Sequence, residues 1–493
     1  MKILLVYPKY PDTFWSFKYA LRFISKKATH PPLGLLTVAA MLPKEWEKKL
    51  VDMNVTTLRE KELHWADYVF ISAMSTQKAS VREVISMCKK MRIKTVAGGP
   101  LFTTGYEGFE DVDYLVLNEA EITLPAFLED LNNGCAKHVY SSTELPDIGK
   151  TPIPLWELIN MKKYASMSTQ YSRGCPFNCE FCNIPVLYGR KVRTKSKAQI
   201  VAELENLHSQ GWRGDVFLVD DNFIGNKRRL KGEILPAMIE WMERKRHPFP
   251  FNTEASIDLS DDEELMQLMV KAGFASVFVG IETPNEESLA ECNKVQNRKR
   301  NLVACVKKIQ KLGLQVQAGF IVGFDNDPPS IFERLSAFIQ DSGIVTAMVG
   351  LLNAPRSTRL YHRLAKEGRL VKDISGDNTD FSINFIPKMD HEKLVTGYKR
   401  IISRIYSPEP YYKRVITFLR DYKPLGKTAF HFHFSYLGAF FKSVLLLGIV
   451  DKERVYYWKL FFWSLFRRPK LFHLAITFAI YGFHFRKIFE NCL

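Results

Sequence analysis

The chain has 493 residues, 46% of them hydrophobic and 25% charged, a composition typical of a globular protein. A chain of this length is too long for one hydrophobic core, so we expect two or three domains. Eight cysteines, three of them clustered, do not fit a secreted disulfide framework. The first apolar run stops at Pro8, which is too early for a signal peptide. We therefore expect the protein in a reducing cytoplasm. The net charge of +16 favours an acidic partner: a nucleic acid, an anionic membrane face or a phosphate-bearing ligand.

Residues 1–144 alternate strand and helix patterns, which predicts an α/β fold with a doubly wound parallel sheet. The predicted strands are Ile3–Tyr7, Leu50–Val55, Tyr68–Ala73, Thr95–Ala97 and Tyr114–Leu117, and the predicted helices are Leu33–Leu42 and Val81–Met91. Ligands of such sheets bind beyond the carboxyl ends of the strands, where Ser72, Gly98, Gly99 and Glu119 fall. The glycine pair permits close approach to a ligand or is merely a turn. No G-x-G-x-x-G motif supports a dinucleotide.

Residues 145–163 contain three prolines and are interpreted as a linker. Residues 164–388 resume the alternation, with strands predicted at Met167–Tyr171, Val216–Asp220, Phe251–Ala255, Ser276–Ile281, Gln315–Phe324 and Thr346–Leu352, and helices at Lys197–Gln210, Asp261–Ala272 and Leu302–Leu312. These βα units predict a partial (β/α)6 barrel with its site at the carboxyl ends of the strands.

Three cysteines, Cys175, Cys179 and Cys182, are spaced C-x3-C-x2-C near the start of this second domain. Three thiols on one loop ligate three irons of a [4Fe–4S] cluster and leave the fourth iron open, unlike the four-cysteine ligation of electron-transfer clusters. The alternatives are a zinc knuckle, which needs a fourth Cys or His at matching spacing, and a disulfide pair. The next His is His208 and the next Cys is Cys292, so the pattern favours the open cluster.

Polar residues follow three predicted strands of the second domain, where a barrel site is expected. Each is also compatible with an ordinary helix cap or turn, and their agreement with strand order is what favours a site. They are Asp220, Asp221 and Asn222 after the second strand, Glu254 and Ser256 at the third, and Glu282 and Thr283 after the fourth.

Residues 389–493 lose the alternation and are rich in aromatic and basic residues. Ala429–Ile449 approaches the roughly 20 apolar residues that span a bilayer, but it contains two His, a Lys and two Gly, and the runs Val455–Phe466 and Leu471–Phe485 are shorter. We therefore expect a helical region whose helices lie in a membrane interface. The alternative is that they cap the barrel. No recognised nucleic-acid-binding module occurs, so nucleic acid is not expected as a partner.

The cysteine spacing, with Phe181 just before Cys182, resembles the signature of the radical SAM superfamily, in which S-adenosylmethionine (SAM) chelates the open iron. The first domain resembles the cobalamin-binding domain that precedes many radical SAM domains, through its PPLGL, LVDMNV, GGP and NEAE stretches. The D-x-H-x-x-G loop that supplies a histidine to cobalt in other cobalamin proteins is absent. His30 is the nearest candidate in sequence, although a histidine before Pro-Pro is more often a loop residue.

The whole chain resembles the cobalamin-dependent radical SAM methyltransferases, and most of all the branch with the hopanoid C-2 methylase. The shared stretches include QYSRGCPFNCEFCNIPVLYGR, VDDNFIGN and VFVGIETP. The resemblance implies a [4Fe–4S] cluster, SAM and cobalamin as cofactors. It also implies that the polar residues after the second strand hold the SAM amino group, that Glu254 and Ser256 meet its ribose or carboxylate, and that Gly319 and Ile321 pass under the adenine.

The resemblance further implies the reaction. An unactivated carbon has no acidic proton or lone pair, so a radical derived from SAM abstracts hydrogen and the substrate radical takes a methyl group from methylcobalamin. The implied partners are a hydrophobic lipid-like substrate, a flavodoxin- or ferredoxin-type reductant and a membrane surface. Arg173, Arg190 and Arg193 flank the cysteine loop, where they balance charge, meet an acidic electron donor or, as is commoner, stay solvated.

Three other functions remain open from the sequence. A cobalamin-dependent radical SAM enzyme also methylates tetrapyrroles or peptides, or carries out a cyclisation or oxidation without methyl transfer. Methylthio transfer normally needs a second cluster, and the first domain has only Cys88 and Cys135. A cobalamin sensor needs no open cluster, so Cys175→Ala would leave its function intact.

Overall fold

The computed structural model describes residues 1–377, 379–424 and 434–490. The first sheet has six parallel strands in the order β2-β1-β3-β4-β5-β6. Its strands are β1 Lys2–Tyr7, β2 Glu47–Asp52, β3 Tyr68–Ser72, β4 Lys94–Gly98, β5 Tyr114–Val116 and β6 Val139–Tyr140, and its longer helices are Leu33–Met41, Glu60–Trp65, Lys78–Lys90 and Ala120–Asn132. Four consecutive residues of β1 are fully buried, as expected for a central parallel strand covered on both faces.

The second strand lies earlier in the chain than predicted. Our prediction was Leu50–Val55, whereas β2 ends at Asp52. The Asp52 carboxylate accepts a hydrogen bond from the Asn54 backbone N–H (2.8 Å), and an Asx turn of this kind ends a strand. Tyr164, from the start of the second domain, donates its hydroxyl to the same carboxylate (2.9 Å).

The second sheet also has six parallel strands, in the order β14-β13-β12-β11-β10-β7. Its strands are β7 Ser166–Thr169, β10 Asp215–Leu218, β11 Phe251–Glu254, β12 Phe274–Glu282, β13 Gln315–Val322 and β14 Ala347–Leu351, and its longer helices are Lys197–Ser209, Leu235–Arg244, Glu263–Lys271, Glu286–Glu291, Leu302–Lys311 and Ile331–Ser342. The predicted α/β class with two parallel sheets is confirmed.

The carboxyl-terminal helices cover the β14 edge of the second sheet. Tyr398 donates its hydroxyl to the Val349 carbonyl (3.0 Å), and Tyr406 donates to the Ala347 carbonyl (2.6 Å). These bonds occupy carbonyls of an edge strand that would otherwise be open to pairing with another chain. The helical elements of this region are Arg359–Lys366, His391–Tyr406, Pro408–Asp421, Phe434–Ser443 with a π-helical continuation Val444–Val450, Arg454–Arg467 and Phe472–Glu490.

The segment after β1 joins all three parts of the molecule. Phe14 stacks on Phe485 of the last helix, with ring centroids 4.3 Å apart, and Trp15 meets Phe278 of β12 edge-on at 5.4 Å. The stretch predicted as a linker is also packed, because Trp156 is fully buried. The three parts are therefore held together by burial and not only by chain connection.

The helical tail agrees in part with the sequence. The apolar runs at Val455–Phe466 and Leu471–Phe485 fall in the helices Arg454–Arg467 and Phe472–Glu490. The predicted stretch Ala429–Ile449 begins outside the described residues, which resume at position 434. None of the helices in the described ranges combines the length and apolar character that crossing a membrane requires.

Candidate active site

A two-stranded hairpin closes the cysteine loop at its base. Strand β8, Ser172–Arg173, pairs antiparallel with β9, Arg193–Thr194. Gly174 begins the loop at a φ of +91°, and a Cβ there would lie 2.8 Å from the Lys191 carbonyl oxygen. Only glycine fits this left-handed, crowded position. The Gly174 N–H donates to Asp221 Oδ2 (2.7 Å), so the loop is fixed where it leaves the hairpin.

The three cysteines on this loop carry free thiols. Cys179 is buried and the other two are partly buried. Burial raises the pKa of Cys182 to about 12 and also raises that of Cys175, so both are thiols until a cation binds them. No three Cys, His, Asp or Glu side chains among the described residues converge on one ion. A cluster gives each cysteine its own iron, so this donor set fits a cluster.

Residues after β12 contact the cysteine loop, and they were not predicted as site residues. Gln296 Nε2 lies 3.8 Å from Cys179 Sγ, and Asn293 Nδ2 donates to the Asn178 carbonyl (2.9 Å). The Glu180 N–H donates to the Cys292 carbonyl (2.9 Å). These residues are more than a hundred positions from the loop and form no motif, so the only sequence signal was their place after a barrel strand.

An arginine from the carboxyl-terminal region holds the loop from the other side. Arg363 binds the buried Glu180 carboxylate with two nitrogens, at 2.8 and 3.1 Å. It also pairs with Asp325 at 2.9 Å. A bidentate arginine–carboxylate pair fixes orientation as well as charge. The Phe181 ring lies 6.3 Å from Phe324, so both sides of the loop contact the protein.

Asp220 and Asp221 lie beside the hairpin, as their position after β10 predicted. Asp220 accepts hydrogen bonds from the backbone N–H groups of Tyr171 (3.1 Å) and Ser172. Burial raises the pKa of Asp220 to about 7 and that of Asp221 to about 6. Both carboxylates therefore position the cysteine loop, whatever they also contact.

The side chain of Glu254, at the end of β11, makes no hydrogen bond or ion pair with another described residue. Burial, followed by the charges of Asp221 and Asp220, raises its pKa to about 7. Beside it, Asn222 and Ser256 bond each other, with Asn222 Nδ2 donating to Ser256 Oγ at 3.2 Å. A neighbourhood with one buried and two partly buried carboxylates attracts a cationic ligand.

Glu282 has a partner within the protein. A β-bulge interrupts the pairing of β12 with β13 between Gly280 and Glu282, and Glu282 has a φ of +64°. Its carboxylate binds Lys294 Nζ at 2.6 Å. Burial alone would lower the pKa of Lys294, but Glu282 and Cys179 hold it above its usual range. This ammonium lies 6.0 Å from the centre of the Phe181 ring. Thr283, the next residue, is buried and accepts from the Asn285 N–H at 3.2 Å.

The glycine on β13 lies against an aromatic ring. Gly319 pairs with Gly280 of β12, and a Cβ on Gly319 would lie 2.9 Å from the Phe278 ring. Ile321 follows on the same strand and is partly buried. Gly280 and Gly319 have no side chains, and the surface they form suits a flat ring. The contact of Gly319 and Ile321 with adenine stays a prediction.

The glycines at the edge of the first sheet also have a structural reason. A Cβ on Gly98 would lie 2.5 Å from the Val116 carbonyl oxygen, and one on Gly99, at a φ of +89°, would lie 2.6 Å from Ser72 Oγ. The fold alone therefore requires these glycines. They keep the strand ends open for a ligand, and their contact with cobalamin stays a prediction.

Glu119 joins this edge to the cysteine loop. Its carboxylate, 2% exposed, pairs with Arg173 and with Arg193 Nη2 (2.8 Å), which are 12% and 9% exposed. Arg173 also binds Glu121 at 3.1 Å. The expectation that these two arginines are solvated is wrong, because both side chains are largely buried between the domains. Arg190 is exposed and donates to the Pro176 carbonyl (3.3 Å).

His30 packs against the second domain. Its ring centre is 5.2 Å from that of Phe217 on β10, and its Nδ1 is buried without a hydrogen-bond partner among the described residues. Burial lowers its pKa to about 4, so it is neutral at ordinary pH.

Family profiles match all three parts of the chain. The B12 binding domain covers residues 21–128, the Radical SAM superfamily 169–339, and a domain of unknown function (DUF4070) 358–493. An uncharacterized methyltransferase of Synechocystis sp. is 43% identical over 98% of this chain and 91% of its own length. The hopanoid C-2 methylase of Rhodopseudomonas palustris is 35% identical over 84% of this chain and 78% of its own.

The chain belongs to the cobalamin-dependent radical SAM methyltransferases. It is therefore an enzyme that uses a [4Fe–4S] cluster, SAM and cobalamin. The cobalamin-dependent SAM radical enzyme OxsB aligns with a TM-score of 0.62 over 100% of this chain and 80% of its own, at 15% identity. The methyltransferase TsrM of Kitasatospora setae aligns at 0.58 over 76% and 77%, at 16% identity. These two structures support the fold.

The Glu119 contact predicts a large effect on stability. We expect Glu119→Gln to destabilise the protein by about 3–5 kcal/mol, because two buried guanidinium groups lose their shared counter-charge. Urea unfolding measures this, together with the rate of proteolysis within residues 145–163. The matched control is Glu333→Gln, which breaks the exposed pair with Arg400 (51% and 66% exposed) and should change stability by less than about 1 kcal/mol. Equal effects of the two substitutions would contradict the buried contact.

The raised carboxylate pKa values predict how SAM binding depends on pH. The carboxyls of Asp220, Asp221 and Glu254 are neutral below their pKa values of about 7, 6 and 7, so the attraction of this neighbourhood for a cationic ligand falls as pH is lowered through this range. We expect the affinity of the cluster-reconstituted protein for SAM, measured by equilibrium dialysis, to weaken from about pH 8 to about pH 5. Glu254→Gln should flatten the profile and the exposed control Glu233→Gln should not. A profile that Glu254→Gln leaves unchanged would exclude Glu254 as the responsible group.

Proposed function

We propose that this enzyme methylates an unactivated carbon of a hydrophobic, isoprenoid-type lipid of the hopanoid kind. The observation that carries the proposal is the similarity to the hopanoid C-2 methylase across most of both chains. A hopanoid C-3 methylase of Methylococcus capsulatus is 26% identical over 60% of this chain.

A tetrapyrrole is the second candidate substrate. Bacteriochlorophyllide d C-12(1)-methyltransferase of Chlorobaculum tepidum is 24% identical over 84% of this chain. That identity is lower than for the hopanoid C-2 methylase over the same share of this chain. We therefore place the isoprenoid lipid first.

We assign the cofactor contacts as follows. Cys175, Cys179 and Cys182 ligate the cluster, and Asp220, Asp221, Asn222, Glu254 and Ser256 surround SAM, with Phe181, Glu282, Gly319 and Ile321 completing its site. Ser72, Gly98, Gly99 and Glu119 border the cobalamin. When bound, the cofactors supply the radical and the methyl group. The protein orients them, excludes water and holds the loop, and an unactivated carbon requires no side-chain base.

The proposed partners follow from the surface around the cluster loop. Arg190 and Arg359 are exposed and donate to the Pro176 and Asn178 carbonyls (both 3.3 Å), so cationic groups border the loop on its solvent side. An acidic flavodoxin- or ferredoxin-type protein fits that charge. We also propose that the enzyme acts on the cytoplasmic face of a membrane, where a lipid substrate resides.

The cysteine assignment predicts complete loss of activity on substitution. We expect Cys182→Ala, reconstituted anaerobically, to form no 5′-deoxyadenosine from SAM and no product heavier by one CH2 unit, since an iron loses its ligand. Mass spectrometry of reactions with a hopanoid lipid measures both products. Cys135→Ser, at an exposed thiol outside the site, is the control and should retain activity.

The same assay separates the proposal from its alternatives. Formation of 5′-deoxyadenosine by the wild-type enzyme without any methylated lipid would exclude hopanoid lipids as substrate. A methylated product with a tetrapyrrole and none with the lipid would favour the second candidate. Retained activity of Cys182→Ala would exclude the cluster assignment.

A further inference from the structure

The exposed apolar residues of this protein are concentrated on two packed helices. Ten of the eighteen large apolar side chains that are exposed among the described residues lie between positions 437 and 466. We call them the apolar face: Leu437, Phe441, Leu445, Leu446, Ile449, Val450, Val455, Phe462, Leu465 and Phe466. Apolar exposure on soluble proteins is usually scattered, and a concentration of this kind marks an interaction site.

The face is built on a rigid base. Trp458 Nε1 donates to the Gly448 carbonyl (2.8 Å), and the Tyr457 and Ser443 hydroxyls lie 3.0 Å apart in the buried seam between the helices. Phe440 and Phe461 meet across the same seam at 6.1 Å. The interior of the helix pair already has its own aromatic contacts. The exposed apolar residues are therefore not needed to fill the core between these helices.

Each helix presents its apolar residues in a row. Leu437, Phe441, Leu445 and Ile449 are spaced four apart, which places them on one side of a helix. On the second helix, Phe462 and Phe466 are exposed by 50% and 76% and stack at 6.4 Å.

The charges around the apolar face are positive. Residues 437–470 contain seven Lys and Arg but only two acids, Asp451 and Glu453, and both acids pair with Arg486, which comes from the last helix. Of the seven basic side chains, Lys442 and Arg468 donate to backbone carbonyls of the protein. The other five, which are exposed and form no ion pair among the described residues, are Lys452, Arg454, Lys459, Arg467 and Lys470.

From these observations we infer that the apolar face, with its basic border, docks the enzyme on an anionic lipid membrane. Aromatic and aliphatic side chains insert at the acyl boundary while Lys and Arg contact the headgroup phosphates. A second copy of the chain fits less well, because a two-fold interface brings the same basic border onto itself. The helices that would dock combine an apolar side with a basic border and do not need to cross the bilayer.

The apolar face is also connected to the segment after β1, which reaches the second sheet. Lys442 donates to the Arg22 carbonyl (3.1 Å) and Ser25 Oγ (3.2 Å), on the segment whose Trp15 meets Phe278 of the second sheet. That docking gives the enzyme access to a lipid substrate rests on the proposed function. Membrane binding itself does not depend on which lipid is methylated.

Vesicle flotation of the full-length holoenzyme tests the inference. We expect binding to vesicles of phosphatidylcholine mixed with phosphatidylglycerol, weaker binding to phosphatidylcholine alone, and release by high salt. Phe441→Ser with Phe466→Ser should lower the fraction bound at least about tenfold. The matched control is Val371→Ser with Ile386→Ser, at two equally exposed apolar positions outside the face (64% and 57%), and it should bind like the wild type.

Charge and assembly give two further readouts. Lys452→Gln with Arg454→Gln and Lys459→Gln should weaken binding to the anionic vesicles and leave binding to phosphatidylcholine unchanged. A wild-type protein that does not float at low salt would overturn the inference, as would a Phe441→Ser, Phe466→Ser variant that floats normally. A dimer in sedimentation velocity that this variant abolishes, without vesicle binding by the wild type, would instead assign the face to a second copy.

Methylation separates this inference from the proposed function. The Phe441→Ser, Phe466→Ser variant should still methylate a detergent-dispersed lipid at the wild-type rate, because neither residue contacts the site. If the wild type floats but methylates no hopanoid lipid, the docking surface stands and the substrate proposal fails.

Discussion

The structure depends most on one buried carboxylate, that of Glu119. It extends from the edge of the first sheet to Arg173 and Arg193, and these two arginines are paired residues of the hairpin that closes the cysteine loop. All three side chains are largely buried, so loss of the Glu119 charge would leave Arg193 buried without its carboxylate and Arg173 with Glu121 alone. The edge of the first sheet, which we propose borders the cobalamin, is thereby held against the loop that carries the cysteines. A methyl donor and a radical source both have to reach one carbon, so this contact has a direct functional reason.

The site itself balances buried charges of opposite sign. Asp220, Asp221 and Glu254 are carboxyls whose pKa values are raised by burial, while Lys294 stays protonated beside Glu282 and the cysteines. The carboxyls favour a cationic ligand, and the ammonium favours the thiolate form of the cysteines that a cluster requires. Both charge types lie at the carboxyl ends of neighbouring strands of the same parallel sheet, so the site holds opposite charges close together before any ligand binds.

Much of this organisation was predictable from the sequence. The alternation of strands and helices predicted both parallel sheets, and strand order predicted that Asp220, Asp221 and Glu254 lie at one edge. The contacts that hold the loop were not predictable, because Gln296, Asn293 and Arg363 are distant in sequence and belong to no local motif. The burial of Arg173 and Arg193 was missed for a related reason: a basic residue is normally solvated, and only the docking of the first domain supplies the carboxylate that overrides this preference.

We propose that the cobalamin at the edge of the first sheet lies close to the cluster on the cysteine loop. The distance between these two metal centres tests that placement most directly. Electron paramagnetic resonance of the reduced holoenzyme reports whether the spin of cob(II)alamin senses the spin of the reduced cluster. We expect the cob(II)alamin signal to be broadened or split in the wild type, and to be sharp in a variant with Cys175→Ala, Cys179→Ala and Cys182→Ala, which binds cobalamin without a cluster. Identical cob(II)alamin spectra in the two proteins, with both cofactors shown to be present in the wild type, would contradict the arrangement.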